Sequence, residues 1–367
     1  MDTLLLMDLL LILVILLIAA LNHFLPRLTR REIFFAVTVS HGYRETQEAR
    51  KTIGRYRAAV WTHALIATCL VVASSTQNLD WLKIAAIFWL AGGCFVAYLR
   101  ARHETLPHAE SPVPQREAAV APRPPSIIGS WWLQASPFAI LAATAAYLHF
   151  HWDEIPEKFP VHWGWDGRPN GWATRSFSGV YGPLLIGLSV CLGLALASYG
   201  IQHWTRQVQV RGAGAVHESF FRSSQRGIML VTELFLAATS AWTGLLPLRH
   251  QTISQMPGLV PILIGSVLFI LFVFGWLIYT GQGGENLPDT GSEPSPAPEK
   301  LPAGDRTPDQ CWFAGVIYVN RNDPAVLVEK RFGVGYTLNF GHPVSWVLLG
   351  SLILIPAALA LFFSHAH

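Results

Sequence analysis

The run Leu4-Leu5-Leu6-Met7-Asp8-Leu9-Leu10-Leu11-Ile12-Leu13-Val14-Ile15-Leu16-Leu17-Ile18-Ala19-Ala20-Leu21 holds one charged side chain, Asp8, in an otherwise apolar block. Membrane hydrocarbon is roughly 30 Å thick and a helix rises about 1.5 Å per residue, so about 20 such residues cross it. Seven further blocks meet that test approximately: residues 58–74, 81–98, 131–150, 179–199, 228–248, 259–280 and 344–363. The chain therefore reads as an all-α polytopic membrane protein of about eight transmembrane helices. Composition agrees, since 51% of the 367 residues are hydrophobic and 13% charged, where a soluble domain carries roughly 25% charged residues.

The charge between the blocks gives an orientation. Residues 22–57, 100–128, 201–227 and 281–343 hold 21 of the 26 Lys and Arg, whereas the opposite segments hold Lys158, Arg168, Arg175 and Arg249. By the positive-inside rule the first set is cytoplasmic, and both termini are then expected outside. The first block is not read as a cleaved signal peptide. Asp2 precedes it in place of a basic region, and Arg27, Arg30 and Arg31 follow it. A net charge of +3, distributed in this way, speaks against nucleic acid as a partner. The four cysteines lack Cys-x-x-Cys spacing, which argues against a disulfide framework or zinc site. Several of the 14 tryptophans stand at block edges, where interfacial anchors belong.

The expected organisation is a three-helix membrane region (1–103), a Pro/Ala-rich cytoplasmic linker (104–126), and a helix pair (127–200) enclosing an extracytoplasmic Pro/Trp loop (151–177). Two further membrane helices (201–280) and a Pro/Gly/Ser-rich linker (281–308) expected to be disordered come next. A small cytoplasmic unit (309–343) and the last membrane helix (344–367) complete the chain. In the cytoplasmic unit, residues 312–319 are β-branched and aromatic, 320–324 have turn chemistry, and 325–330 return as a strand. This predicts a β-hairpin too small for its own core, docked on the helix bundle. The first basic segment is expected to be partly helical, because Arg44, Glu48, Lys51 and Arg55 recur at helical spacing.

The outside loop is the most informative stretch. Pro156, Pro160 and Pro169 forbid a regular helix, while Asp166-Gly167 and Asn170-Gly171 are turn dipeptides. His162, Trp163, Trp165, Asp166, Asn170, Trp172 and Arg175 make it either a folded interfacial cap or a recognition surface for an extracytoplasmic peptide or small ligand. His149, His151, Asp153, His162 and Asp166 lack diagnostic ligand spacing, so no metal and no other cofactor is expected. His103-Glu104 followed by His108 is not a zinc-protease motif, since the second His falls at i+5 and Pro107 breaks the helix. Leu287-Pro-Asp-Thr-Gly291 matches a cell-wall sorting signature but lies on the predicted cytoplasmic side. Glu233 stands inside the sixth block, where an ionisable side chain costs about 2.5–3.5 kcal/mol at a helix centre and less toward an interface. Pairing with Arg226 is the economical reading, and an ion path the sharper one. Gly333 and Gly335 lack the third glycine and following helix of a phosphate loop, so they read as turn glycines.

Ile155-Pro156, Pro160-Val-His-Trp-Gly164, Asp166-Gly167, Asn170-Gly-Trp172 and Arg175 resemble the outer loop of a bacterial domain-of-unknown-function membrane family. That family includes the SdpI-type immunity and signalling proteins. Leu25-Pro-Arg-Leu-Thr-Arg30 also looks like it. Trp312, Gly315, Tyr318, Asn320, Asp323, Pro324, Lys330, Arg331, Gly333, Gly335, Thr337, Leu338 and Asn339 are similar to a second uncharacterised cytoplasmic domain found beside it. The resemblance implies a bacterial cytoplasmic (inner) membrane and, in the SdpI-type case, protection against a secreted toxin with capture of a transcriptional repressor. It implies no catalytic residues, and no nucleophile–base set is legible, so no enzyme is expected. The first reading is a non-enzymatic immunity or signal-transduction protein with an outer recognition loop and a cytoplasmic or membrane protein partner. A small transporter or channel using Glu233 is the second, and a structural subunit of a membrane complex the third.

Overall fold

The computed structural model describes residues 3–40, 42–77, 79–110, 131–164, 169–205, 213–249, 260–287 and 307–365. Eight α-helices form among them: α1 (Thr3–Leu28), α2 (Gln47–Gln77), α3 (Trp81–Thr105), α4 (Trp131–Phe150), α5 (Phe177–His203), α6 (Ala213–Leu245), α7 (Val260–Thr280) and α8 (Pro343–His365). Seven stretches are long and apolar enough to cross a membrane: Leu5–Leu28, Gln47–Gln77, Trp81–His108, Phe177–His203, Ser219–Leu248, Pro261–Gly284 and Pro343–Phe362. The predicted span 131–150 is absent from that set, because Gln134, Ser136, Pro137 and His149 dilute the apolar content of α4. The chain is an integral membrane protein.

Two apolar cores organise the helices. α1, α2 and α3 share one, built on Ile15, Ala19, Tyr56, Val60, Ala64, Ala67, Val71, Ala86 and Leu90. The alanines on α2 and α3 let backbones approach closely, as membrane helix pairs do without a solvent-driven hydrophobic effect. Gly93 is needed there, since a Cβ would lie 2.4 Å from the His63 ring. α4, α5 and α6 share the second core through Leu141, Leu148, Val180, Leu184, Cys191 and Ala237. α7 touches both groups, with Phe274 against Phe24 (5.9 Å between rings) and Phe269 stacked on Phe235 (4.6 Å). α8 lies along α5, where Gly193 makes room for Leu352. Intramembrane charges of α1 and α3 pair, Lys83 Nζ standing 3.0 Å from Asp8 Oδ1.

Four two-stranded antiparallel hairpins complete the architecture. β1 (Ile33–Phe34) and β2 (Val37–Thr38) follow α1, and β3 (Lys158–Trp163) and β4 (Pro169–Thr174) fill the outer loop. β5 (Trp312–Phe313) pairs with β6 (Ile317–Tyr318), and β7 (Leu327–Glu329) with β8 (Tyr336–Leu338). This corrects the single hairpin predicted between 312–319 and 325–330. Ala314 (φ 50°) and Gly315 (φ 75°) reverse the chain inside the expected first strand, so each half pairs with its own neighbour. In the first basic segment, Glu48, Lys51 and Arg55 are helical as expected, but Arg44 stands in a separate 3-10 turn, Tyr43–Glu45. Its guanidinium gathers the carbonyls of Pro26, Thr29, Arg30, Arg31 and Ile33, closing the end of α1.

Candidate functional site

The outer hairpin is built against its own prolines. A two-stranded ribbon has no central strand, so Pro160 and Pro169 sit where no ladder donor is required. Pro160 pairs with Trp172, His162 with Gly171, and Trp163 with Pro169. The register slips at Val161 on β3 and at Asn170 on β4, two compensating bulges that re-aim the side chains between them. Gly171 is required, since a Cβ there would stand 2.8 Å from that of His162. The His162 ring donates through Nδ1 to Asn170 Oδ1, joining two of the predicted site residues. Lys158 Nζ lies 5.6 Å over the Trp172 ring, a cation–π contact at the hairpin base.

Arg175 serves the backbone instead. Its Nη1 donates to the carbonyls of Trp152 (3.4 Å), Asp153 (3.2 Å) and Ile155 (3.2 Å), stapling the loop entry to its exit. Ser176 then caps α5 by accepting from Gly179 N at 3.2 Å. Trp165 and Asp166 lie outside the described residues.

Between this hairpin and the helices is a cleft of about 250 Å³. Phe159, Pro160, Val161, His162 and Trp163 form one wall, Gly179, Val180 and Pro183 of α5 the second, and Thr243, Gly244, Leu246 and Pro247 at the end of α6 the third. Drug-sized ligands occupy roughly 300–1,000 Å³, so this space suits one or two large apolar side chains better than a whole small molecule. The lining is mainly apolar, with His162 and Thr243 as its polar side chains. Sequence reasoning found His162 and Trp163 but missed Phe159, Pro183 and Pro247, which gather only through the packing of α5 and α6.

Glu233 on α6 is fully buried, beside Cys191 of the α4–α6 core. The expected pairing with Arg226 is not formed. The two residues stand two turns apart on α6, about 10 Å along the axis. Neither Glu233 carboxyl oxygen has a hydrogen-bond partner among the described residues.

The motif residues between β5 and α8 bond largely to one another. Asn339, fully buried, donates to the carbonyls of Asn320 (2.9 Å), Asp323 (3.2 Å) and Ala325 (3.0 Å), and its Oδ1 accepts from Asn320 N and Gly341 N at 3.0 Å each. Asp323 accepts from Tyr318 Oη (2.9 Å) and Ala325 N (3.0 Å), which sets the turn through Pro324. Arg331 is buried against Trp312, whose ring centre is 5.4 Å from the guanidinium carbon, and it pairs with Asp309. Lys330 bonds Gly335 O through its main-chain N (3.0 Å). Gly333 (φ 94°) and Gly335 (φ 104°) are turn glycines in the left-handed region, as expected.

The unit is clamped to the bundle on several sides. Glu329 accepts a two-pronged bond from Arg30, with both contacts at 2.8 Å. Gln282 brackets Gly335, accepting from its N (2.7 Å) and donating to its O (3.2 Å). Phe332 enters an aromatic cage of Phe35, Tyr56 and Tyr98, at ring distances of 5.7, 6.2 and 4.4 Å. Val326 N and Leu327 N both donate to Trp204 O at 3.2 Å, just beyond the end of α5. The tips of the first and third hairpins meet, where a Cβ on Gly315 would fall 2.6 Å from that of Ala36.

No curated protein and no solved structure matches the chain. Two family models match parts of it. Residues 139–188, covering most of α4, the outer hairpin and the start of α5, match a domain of unknown function (DUF1648). Residues 321–346, covering β7, β8 and the start of α8, match a family of unknown function (DUF5808). The outer hairpin with its cleft and the cytoplasmic turn around Asn339 are thus similar to two uncharacterised families, joined here in one multi-pass helical membrane protein.

Proposed function

We propose that this chain is a non-enzymatic membrane receptor whose outer cleft takes apolar side chains of an extracytoplasmic peptide and whose cytoplasmic unit reports the occupancy. The observation that carries this is the anchoring of α5 at both ends. Its first turn is capped by Ser176, directly behind the outer hairpin whose base Arg175 staples. Its last turn bonds to β7 of the cytoplasmic unit, with Thr205 bridging to Leu327. The 27 residues between make a rod of about 40 Å, enough to put hairpin and unit on opposite faces of a bilayer. α4 leads into the same hairpin, and its 20 residues give about 30 Å, which supports an eight-crossing topology with both termini outside. Immunity to a secreted membrane-active peptide, in a bacterial inner membrane, is the form of this role that the SdpI-type resemblance favours.

The test uses a photo-crosslinking residue at Val161, an exposed position on the cleft wall, in intact cells. An adduct with an extracytoplasmic peptide is expected, and Thr243→Trp, which fills the cleft, abolishes it without lowering the melting temperature. Adducts with lipid alone, or adducts indifferent to Thr243→Trp, would refute the receptor reading.

A further inference from the structure

We propose that Glu233 is a proton-binding site within the membrane, loaded from the cytoplasmic side of α6. Its side chain is fully buried, and both carboxyl oxygens lack a hydrogen-bond donor among the described residues. From α5 the facing titratable group is Cys191, whose thiol donates to the main-chain carbonyl of Glu233 (3.6 Å) and not to the carboxyl. α4 runs alongside α6, with Leu148 against Gly244 and Leu141 beside the Gly187–Ser240 contact. Carried toward the cytoplasm, that register sets Gln134 and Pro137 level with Leu230 and Glu233. Gln134 Nε2 is itself buried without a partner. α7 contributes Phe269, stacked on Phe235. The basic group on α6 itself, Arg226, is two turns away.

An isolated carboxylate without donors or a counter-charge is not sustained in a low-dielectric interior. Something positive must balance it. A metal cation would require several oxygen ligands, about six for the common hard cations. Beside Glu233 stands the Cys191 thiol, and neither carboxyl oxygen has a donor among the described residues. A proton needs no such shell, and it turns the carboxyl into a neutral group the core accepts.

The flanking sequence gives the direction of exchange. Toward the cytoplasm the buried face of α6 passes Leu230 and then turns polar, with Arg226, Gln225 and Ser224 each at most 8% exposed. Toward the outside it continues as Ala237 and Ala241, which pack tightly and offer no donor or acceptor side chain. This inference is independent of the outer-cleft reading and can fail alone.

The experiment is infrared difference spectroscopy on the full-length protein in lipid vesicles, stepping from mildly acidic to alkaline pH. A carboxylic-acid carbonyl band is expected at neutral pH, decaying about tenfold per pH unit above its midpoint as a single site does. Glu233→Gln removes the band while leaving the melting temperature unchanged or raised. Dicyclohexylcarbodiimide, which reacts with protonated carboxyl groups in apolar surroundings, supplies the second measurement. It should modify Glu233 at neutral pH, and sodium should not protect. A Glu233-dependent band absent at every pH, or protection by sodium, would overturn the proposal in favour of a hydrated carboxylate or a metal cation.

Discussion

Replacing Arg331 with Met is the sharpest probe of what holds the cytoplasmic unit together. The guanidinium is fully buried and pairs with Asp309, and its Nε donates to Thr307 Oγ1 at 3.3 Å. It also donates to the Thr307 carbonyl and lies over Trp312. Breaking a buried pair costs about 3–5 kcal/mol because the remaining charge is left uncompensated. Here the lower end applies. Asp309 is 27% exposed and keeps Thr38 Oγ1 (2.8 Å) and Thr38 N (3.4 Å) as donors. The stacked cation accounts for about 0.5–1 kcal/mol of that loss. A total near 3 kcal/mol raises the population of the opened unit about a hundredfold. Cys311, next to Trp312, reports this opening in a Cys69→Ser background, since Cys69 is exposed whereas Cys94 and Cys191 are buried in the helical cores. The thiol labelling rate of Cys311 in purified protein should rise about a hundredfold in Arg331→Met and by less in Arg331→Lys. The double variant Arg331→Met/Asp309→Asn should lose less than the sum of the single variants. An unchanged rate in Arg331→Met would show that Arg331 does not hold the unit closed.

Three further outcomes are expected. Gly171→Ala places a Cβ 2.8 Å from that of His162 and should destabilise the outer hairpin by about 1–3 kcal/mol, read as faster proteolysis of the loop; a Gly171→Ala loop as resistant as the original would contradict the close approach. Glu285 is held above the ordinary carboxylate range, first by burial and then by the nearby Glu32 charge, against Arg30, the Arg31 N bond and Arg44. A raised folded-state pKa gives stability that is present at acidic pH and lost as pH rises through it. Glu285→Gln should therefore raise the melting temperature at neutral pH, with the gap closing below the ordinary carboxylate range; a gap that widens on acidification would reverse the sign. Cysteine probes at Asp166 and Gly258 should label from outside in intact cells, and probes at Arg116, Ser219 and Asn322 only after permeabilisation; labelling at Asn322 in intact cells would overturn the eight-crossing topology.

Hydropathy located the helices but not their ends, and the reason is physical. Transfer into hydrocarbon selects only the membrane-embedded part, whereas a helix continues as long as its backbone bonds and packing allow. α2 begins at Gln47, well before the apolar block at 58, because Ala49, Thr52 and Tyr56 bury a stripe against the first core. α1 runs past the block end at 21 to Leu28, even through Pro26. The hairpins were less legible. β1 and β2 turn through Phe35 (φ 43°) and Ala36 (φ 61°), neither of them a glycine or asparagine. A left-handed residue other than glycine costs about 1–2 kcal/mol, and Phe35 offsets this by entering the aromatic cage around Phe332. That compensation is tertiary, so no local turn signal announces it.

The polar motifs show the same limit from the other side. Asn320, Asp323 and Asn339 stood out in the sequence as part of a motif similar to an uncharacterised domain, with no role attached to their side chains. In the folded chain their side chains bond the turn itself, and what they display outward is shape and not chemistry. Arg175 follows them, its guanidinium engaged with three carbonyls of its own loop. The reverse holds for Glu233, whose expected partner Arg226 lies two turns away and whose carboxyl oxygens have no partner among the described residues. Polar residues that close their own bonds act through the geometry they fix, here the hairpin behind α5 and the turn before α8. A polar residue left open in the core has no such structural use, and it costs stability that the surrounding apolar contacts must offset. By that criterion the chemistry of this protein is to be sought at Glu233 and in the outer cleft, and its mechanical coupling in the motifs that first drew attention.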